Sequence, residues 1–152
     1  MATILVVYHS QQYGNTRKLA ELVAEGCRQV DGVEVTMVNV NEERVDIDAA
    51  EAADAYALGS PDYFSYVAGG LKQFFDDIYI AKQAGRGVAG KPCVLFVTHG
   101  GGGRAIDSLE QLAQAMKLEP VASSLRCQGA PSGAMTEQAR GLGKALAERV
   151  GS

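Results

Sequence analysis

Short apolar runs separated by amphipathic helical patterns recur along the whole chain, and that alternation leaves few folds open. The runs lie at 4–8 (ILVVY), 33–40, 55–58, 94–98 and 121–126. The first and fourth are continuously apolar, as strands buried on both faces must be, whereas 33–40 alternates. Between the runs, apolar residues return at helical spacing. Leu19, Leu22, Val23 and Cys27 mark a helix over 15–30, and Leu71, Phe74, Phe75 and Ile78 mark one over 68–84. Ile106, Leu109, Ala113 and Met116 do so over 104–117, and Leu142, Leu146 and Val150 over 136–149, with Thr136 as the expected N-cap. Residues 41–53 read as a polar connection with one helical turn near 48–52. Strands separated by helices predict an α/β fold, a parallel sheet covered on both faces. Right-handed crossovers leave few orders, and the doubly wound five-stranded order 2-1-3-4-5 is expected. At 152 residues, with no linker, repeat or low-complexity stretch, one domain over 1–152 is expected.

Charge and cysteine usage narrow the function. A formal charge of −4 with no basic run argues against nucleic acid and acidic membranes as partners. No apolar stretch approaches the roughly 20 residues of a membrane helix, so no membrane span is expected. The apolar run at the start has no basic segment before it, which predicts no signal peptide and a cytoplasmic location. Cys27, Cys93 and Cys127 are far apart and form no C-x-x-C, so they are expected to be reduced and buried, two on strands and one on a helix.

In the expected topology, ligands sit beyond the C-terminal strand ends, at the loops 9–15, 59–68 and 99–104. The first, His9-Ser10-Gln11-Gln12-Tyr13-Gly14-Asn15-Thr16, is rich in neutral donors and has no Lys or Arg before Arg17. Such a loop at a helix start suits a phosphate held by dipoles rather than by full charges. Ordinary N-capping by Asn15 or Thr16 explains one or two of these residues but not the whole polar loop. The second loop spends Tyr63, Phe64 and Tyr66 within four residues, which a flat aromatic ligand explains through stacking. In the third, Gly100 to Gly103 expose backbone N–H groups to a ring system bearing carbonyls.

Other motifs fail on context. Residues 85–92 resemble a P-loop, but Pro92 replaces the metal-binding hydroxyl and the stretch follows a helix. The glycines from Gly100 to Ala105 fit a dinucleotide fingerprint, yet Glu119 begins the next strand where an acid should end it. His99-Gly100-Gly101-Gly102 resembles an esterase oxyanion motif without the G-x-S-x-G that must accompany it. A phosphoacceptor receiver domain needs acids where Tyr8, His9 and Ser10 stand, and neither histidine has a second metal ligand at a suggestive spacing.

Taken together, Ser10…Gly14-Asn15-Thr16, GSPDYFSYVAGGLKQFFDD (59–77) and FVTHGGGG (96–103) resemble the flavodoxin-like FMN-binding proteins, essentially from end to end. The resemblance implies FMN as cofactor. It implies that Ser10, Gln12, Tyr13, Gly14, Asn15 and Thr16 hold the phosphate, and that Pro61, Asp62, Tyr63, Phe64, Thr98, His99, Gly100 and Gly103 surround the ring. It implies an electron-transfer flavoprotein serving redox partner proteins, with no catalytic side chain required. An FMN-dependent NAD(P)H:quinone oxidoreductase, in which His99 donates a proton to a reduced quinone, is the alternative with NAD(P)H or quinone as partner. A flavin-free regulatory module on the same fold is the third. The chain departs from the family pattern in a first loop one residue longer, which leaves open whether Gln11 or Gln12 contacts the phosphate, in a third loop whose one ring is His99, and in Phe64 and Ser65 where a glycine is common. The absence of that glycine makes a peptide flip harder. It is also less acidic than a typical flavodoxin and has Arg104 beside the third loop, which weakens like-charge repulsion of a reduced, anionic flavin. Potentiometric titration is therefore expected to give a flavin less strongly reducing than that of an acidic flavodoxin; an equally low potential refutes this.

Overall fold

A computed structural model describes residues 1–11 and 13–151. The elements follow in the order β1 (Ala2–Tyr8), α1 (Asn15–Arg28), β2 (Val33–Asn39), α2 (Ile47–Ala52), β3 (Ala55–Tyr63), β4 (Tyr66–Val67), α3 (Gly69–Gln83), β5 (Pro92–His99), α4 (Ala105–Ala115), β6 (Glu119–Pro120), β7 (Leu125–Gln128) and α5 (Ala134–Val150). The main sheet is parallel in the order β2-β1-β3-β5, with β6 and β7 both pairing the far side of β5. This is the expected flavodoxin-like order, with its fifth strand in two pieces.

The break in that strand has a simple cause. Pro92 and Cys93 pair Glu119 and Pro120, while Phe96 pairs Leu125, so β5 advances three residues from Cys93 to Phe96 as its partner advances five from Pro120 to Leu125. The extra residues leave the ladder within the run 121–126 that the sequence presents as one strand. The start of α5 also differs from the sequence reading. The N-cap is Gly133, and Thr136 lies inside the first turn with its N–H donating to the Gly133 carbonyl at 3.1 Å. The turn begun by Ser132 and Gly133 starts the helix earlier than a threonine cap would.

Strand residues alternate between two cores. Leu5, Val7, Tyr56, Leu58, Leu95 and Val97 face α3 and α4, where Leu71, Phe74, Ile78, Ile106 and Leu109 are buried. Ile4, Val6, Ala55, Ala57, Val94 and Phe96 face α1 and α5, where Leu19, Val23, Cys27, Leu142 and Leu146 are buried. The small residues on this face of β3 make room for Phe96: a Cβ at Gly59 would lie 2.0 Å from its ring. All three cysteines are free and buried, Cys27 on α1 and Cys93 and Cys127 on strands. Burial pushes the Cys27 and Cys93 thiols up to about 12, so both stay protonated and unreactive at neutral pH. Among the described residues, no helix is long and apolar enough to cross a membrane.

Helices α1 and α5 meet backbone to backbone. A Cβ at Gly26 would lie 1.9 Å from the Arg140 carbonyl oxygen, and one at Gly143 would lie 1.8 Å from that of Val23. The Cys27 thiol donates to the Gly143 carbonyl at 3.3 Å across the same seam. In a helix interior, glycine to alanine ordinarily gains up to about 1 kcal/mol. Gly26→Ala and Gly143→Ala are expected instead to lose about 1–3 kcal/mol by forcing the helices apart. Gly141→Ala, on the same helix with nothing within 4 Å of the added carbon, is the control expected to hold or gain stability. Urea midpoints of the three variants check the sign.

Candidate functional site

The register of the sheet brings the three loops together. Tyr8 stands opposite Gly59, and Pro61 opposite Thr98, so β1, β3 and β5 end side by side. Between them lies a cleft of about 390 Å³. Gln11, Tyr13, Asn15 and Thr16 line it from the first loop, Pro61, Asp62 and Tyr63 from the second, Thr98, His99 and Gly100 from the third, and Gly129 from beyond β7.

The first loop is held from below. Asn39, buried at the end of β2, accepts from the Ser10 N–H and donates to the Ser10 carbonyl, both at 3.0 Å, so a side-chain amide replaces the strand neighbour that Ser10 lacks. The Ser10 hydroxyl accepts from the Arg17 N–H at 3.1 Å and meets one of the free donors at the start of α1. Gly14 is the N-cap, at φ 73°, in the left-handed region that glycine occupies without strain. Neither Asn15 nor Thr16 caps the helix. Among the described residues no acceptor meets their N–H groups. The Thr16 hydroxyl instead pairs with that of Thr98 at 2.7 Å, joining the first loop to the third. That pair holds two hydroxyl hydrogens and uses one between them, leaving the other for a ligand. Ser10 and Gly14 line a smaller adjoining cavity of about 190 Å³. Gln12 lies outside the described residues.

In the second loop, β3 runs on to Tyr63 and turns back as β4, with Asp62 opposite Val67 and Tyr63 opposite Tyr66. Phe64 and Ser65 form the two-residue turn at φ 59° and 62°. Phe64 is fully exposed at the tip and does not line the cleft, in contrast to the ring-facing place its position suggests. The Asp62 carboxylate accepts from the Ala105 N–H at 3.4 Å, at the N-terminal end of α4, where negative charge is favoured.

In the third loop, a Cβ at Gly100, Gly101 or Gly102 would meet nothing within 4 Å, so packing does not require these glycines. They leave open space beside the cleft. Gly103 differs: at φ 72°, its Cβ would stand 3.0 Å from His99 and 3.2 Å from Arg126. The Gly129 N–H donates to the His99 carbonyl at 2.9 Å and brings that glycine to the rim. His99 Nδ1 is buried without a hydrogen-bond partner among the described residues, an orphan that a bound polar group would satisfy.

Chemically, the cleft offers unpaired helix N–H groups, a spare hydroxyl hydrogen and aromatic faces. Among the described residues its one carboxylate is Asp62 and no Lys or Arg lines it, while Arg17 and Glu42, paired with each other, line the adjoining cavity of Ser10 and Gly14. That combination fits a phosphate and a planar polar ring. No cluster of three metal-ligating side chains occurs among the described residues. Gln11, the alternative to Gln12 in the longer first loop, lines the cleft, whereas sequence reasoning missed Gly129 and the supporting residues His9 and Asn39, which only the fold brings to the site.

The family model for NADPH-dependent FMN reductase matches residues 2–130. The chain is 39% identical over 103 residues to a flavodoxin of Aquifex aeolicus, which covers 68% of this chain and 53% of that protein. It is 32% identical over 132 residues to a probable NAD(P)H dehydrogenase (quinone) of Arabidopsis thaliana, covering 73% of this chain and 48% of that one. The chain thus spans about half the length of these curated relatives. Among solved structures, a flavodoxin from the domain Archaea superposes with a TM-score of 0.83 over 97% of both chains at 24% identity.

The support from β2 is directly testable. Asn39→Ala leaves the buried Ser10 N–H without its partner and the Ser10 carbonyl with only the longer bond from the Asn41 amide at 3.4 Å, and is expected to lose about 1–3 kcal/mol of stability. Hydrogen exchange at the Ser10 amide is expected to quicken more than at Val6, deep in the same strand.

Proposed function

The chain belongs to the NADPH-dependent FMN reductase family of flavodoxin-like FMN-binding proteins, and on that premise we propose that FMN occupies the cleft and that the loaded protein carries electrons between redox partners. The single observation that carries this reading is the set of neutral donors at the start of α1: the Asn15 and Thr16 N–H groups, without an acceptor among the described residues, and the Thr16–Thr98 hydroxyl pair, set under Gly14. A doubly negative phosphate ester is the ligand such a set of dipoles favours. In this reading Ser10, Gly14, Asn15 and Thr16, with Gln12 and Tyr13, hold the phosphate. Pro61, Asp62, Tyr63, Thr98, His99, Gly100 and Gly103 surround the ring. Phe64, at the hairpin tip, stands beside the cleft rather than in it. When bound, FMN supplies one- and two-electron redox chemistry, and the protein's part is to bind it, orient it and set its electrostatics. The Asp62 carboxylate is the local negative charge, and Arg104 and Arg126 flank the third loop. The buried, protonated thiols fit a reducing cytoplasmic setting.

A second reading, an FMN-dependent NAD(P)H:quinone oxidoreductase, is favoured by one observation. The Cβ-free space along Gly100 to Gly102 leaves the ring face accessible, with His99 beside it. The two readings differ in what reduces the flavin.

The purified protein is expected to be yellow. Gly14→Val, which forces a β-branched residue to positive φ, and Thr16→Ala are expected to weaken FMN binding by tenfold or more, read by flavin fluorescence. Rapid mixing of the loaded protein with NADPH is expected to leave a carrier oxidised until a partner reductase is added. Direct reduction at a turnover-like rate selects the oxidoreductase, and a colourless protein that takes up no FMN overturns both.

A further inference from the structure

His9 stands immediately before the first loop, is buried, and has both ring nitrogens engaged. Nδ1 accepts from the Gly70 N–H at 3.1 Å. Gly70 lies in the first turn of α3, whose own N-cap, Ala68, contributes no side-chain bond, so His9 caps that helix from another part of the chain. A Cβ at residue 70 would lie 2.7 Å from Nδ1 and 2.4 Å from the Val40 carbonyl oxygen, so this close approach needs glycine. An amide N–H can be met only by an unprotonated nitrogen, which places the ring hydrogen on Nε2. Nε2 then donates to the Gln11 side-chain oxygen at 3.3 Å, and Gln11 lines the cleft. Tyr63, also at the cleft, meets the imidazole edge-on with centroids 6.0 Å apart.

We propose that His9 is a positioning residue for the cofactor: its neutral ring braces Gln11 and the first loop against α3, and FMN binds tightly only to that braced form. This rests on the FMN reading of the cleft. A proton on Nδ1 would put a donor against the Gly70 N–H, at a helix end that already repels positive charge. The ring or the helix start must then move, and Gln11 and Tyr63 move with it.

No neighbouring charge draws a proton to the ring. Burial holds His9 below its ordinary 6.5, the Gln11 bond opposing in part. The charges on the flanking elements are engaged elsewhere. Arg17 pairs with Glu42 beyond β2, and Lys72 with Asp76 and Arg44 with Asp77 on α3. Asp62 on β3 faces the Ala105 N–H, and Glu43 is exposed. The sign follows. With the folded value below 6.5, the unfolded chain takes up a proton that the folded chain refuses as pH falls from 6.5. Stability and the braced form are full above that window and are lost below it. By linkage, FMN binding must lower the ring's pKa further.

The test measures FMN affinity by flavin fluorescence quenching from pH 8 to 4.5, for the natural protein and for His9→Asn. The Asn side-chain oxygen can accept from Gly70 without ever titrating. Protonation of the FMN phosphate near pH 6 is common to both proteins. Below the ring's midpoint, the natural protein is expected to lose about tenfold more affinity per pH unit than His9→Asn. The chain has two histidines, so proton NMR of the apoprotein and the complex reads the His9 ring directly, and does so even if the variant folds poorly. Its pKa is expected to fall on FMN binding. Parallel affinity profiles, or a ring pKa unchanged by FMN, overturn the inference while leaving the FMN reading intact. A natural protein that fails to bind FMN at pH 8 overturns that reading and the inference with it.

Discussion

The shared hydrogen-bond ladder of β1, β3 and β5 is the constraint from which the site follows. Because these strands run parallel and in fixed register, Tyr8, Gly59 and Phe96 stand at one level of the sheet with Pro61 and Thr98 paired two residues beyond, and each loop that leaves them starts beside the others. A slip of one residue would exchange the two faces of a strand, putting Leu5 and Val7 where Ile4 and Val6 belong. Burial on both faces therefore fixes the register, and the register fixes the cleft. The backbone contact of α1 with α5 serves the same end. It holds α1, whose first turn is the wall of the cleft, against the sheet without room for drift.

The cleft presents dipoles rather than full charges at the start of α1. Side-chain and backbone hydrogen bonds cross from β2 to Ser10, from Ser10 to Arg17, from Thr16 to Thr98, and from His9 to both Gln11 and α3. All but the His9–Gln11 bond join two different loops or elements, so the donors at the start of α1 are held in place before a ligand arrives. Pre-organisation of this kind is what lets neutral groups hold an anion, since little ordering entropy remains to be lost on binding. A lysine in the same position would attract phosphate more strongly but would also favour the reduced, anionic form of a flavin. A charge-neutral cradle keeps binding and redox tuning separate.

The parts of this design that sequence reveals are those with a period. Leu71, Phe74, Phe75 and Ile78 announce the buried face of α3, and the apolar run at 94–98 announces β5. The three loops are legible because unusual composition falls where strands end. What sequence hides depends on distance across the sheet. Asn39 looks like the last polar residue of an edge strand until its register sets it beside Ser10. His9 looks like one more polar loop residue until Gly70 is brought to it. The fifth strand hides its break because Val121 and Ala122 keep the run apolar while the ladder lapses after the Val121 N–H bond to the Cys93 carbonyl. Phe64 misleads for the opposite reason: its place among aromatics suggests a ring contact, but the turn geometry points it into solvent.

That turn also bears on how the second loop behaves. Phe64 and Ser65 both sit at positive φ, the pattern of a type I′ hairpin turn, at a cost of about 1–2 kcal/mol for each non-glycine residue. Rotating their shared peptide would give a type II′ turn, which requires a conformation at the first central residue that glycine alone adopts readily. Phenylalanine stands there. The Tyr63–Tyr66 pairing on one side and the bond from the Val67 N–H to the buried Ser108 hydroxyl on the other hold the hairpin in its strained form. Such a rotation is therefore harder here than in a turn with glycine at its first central position. A ring lying against the second loop would meet a backbone surface that resists such a switch, so charge and solvent would carry more of the tuning of its potential.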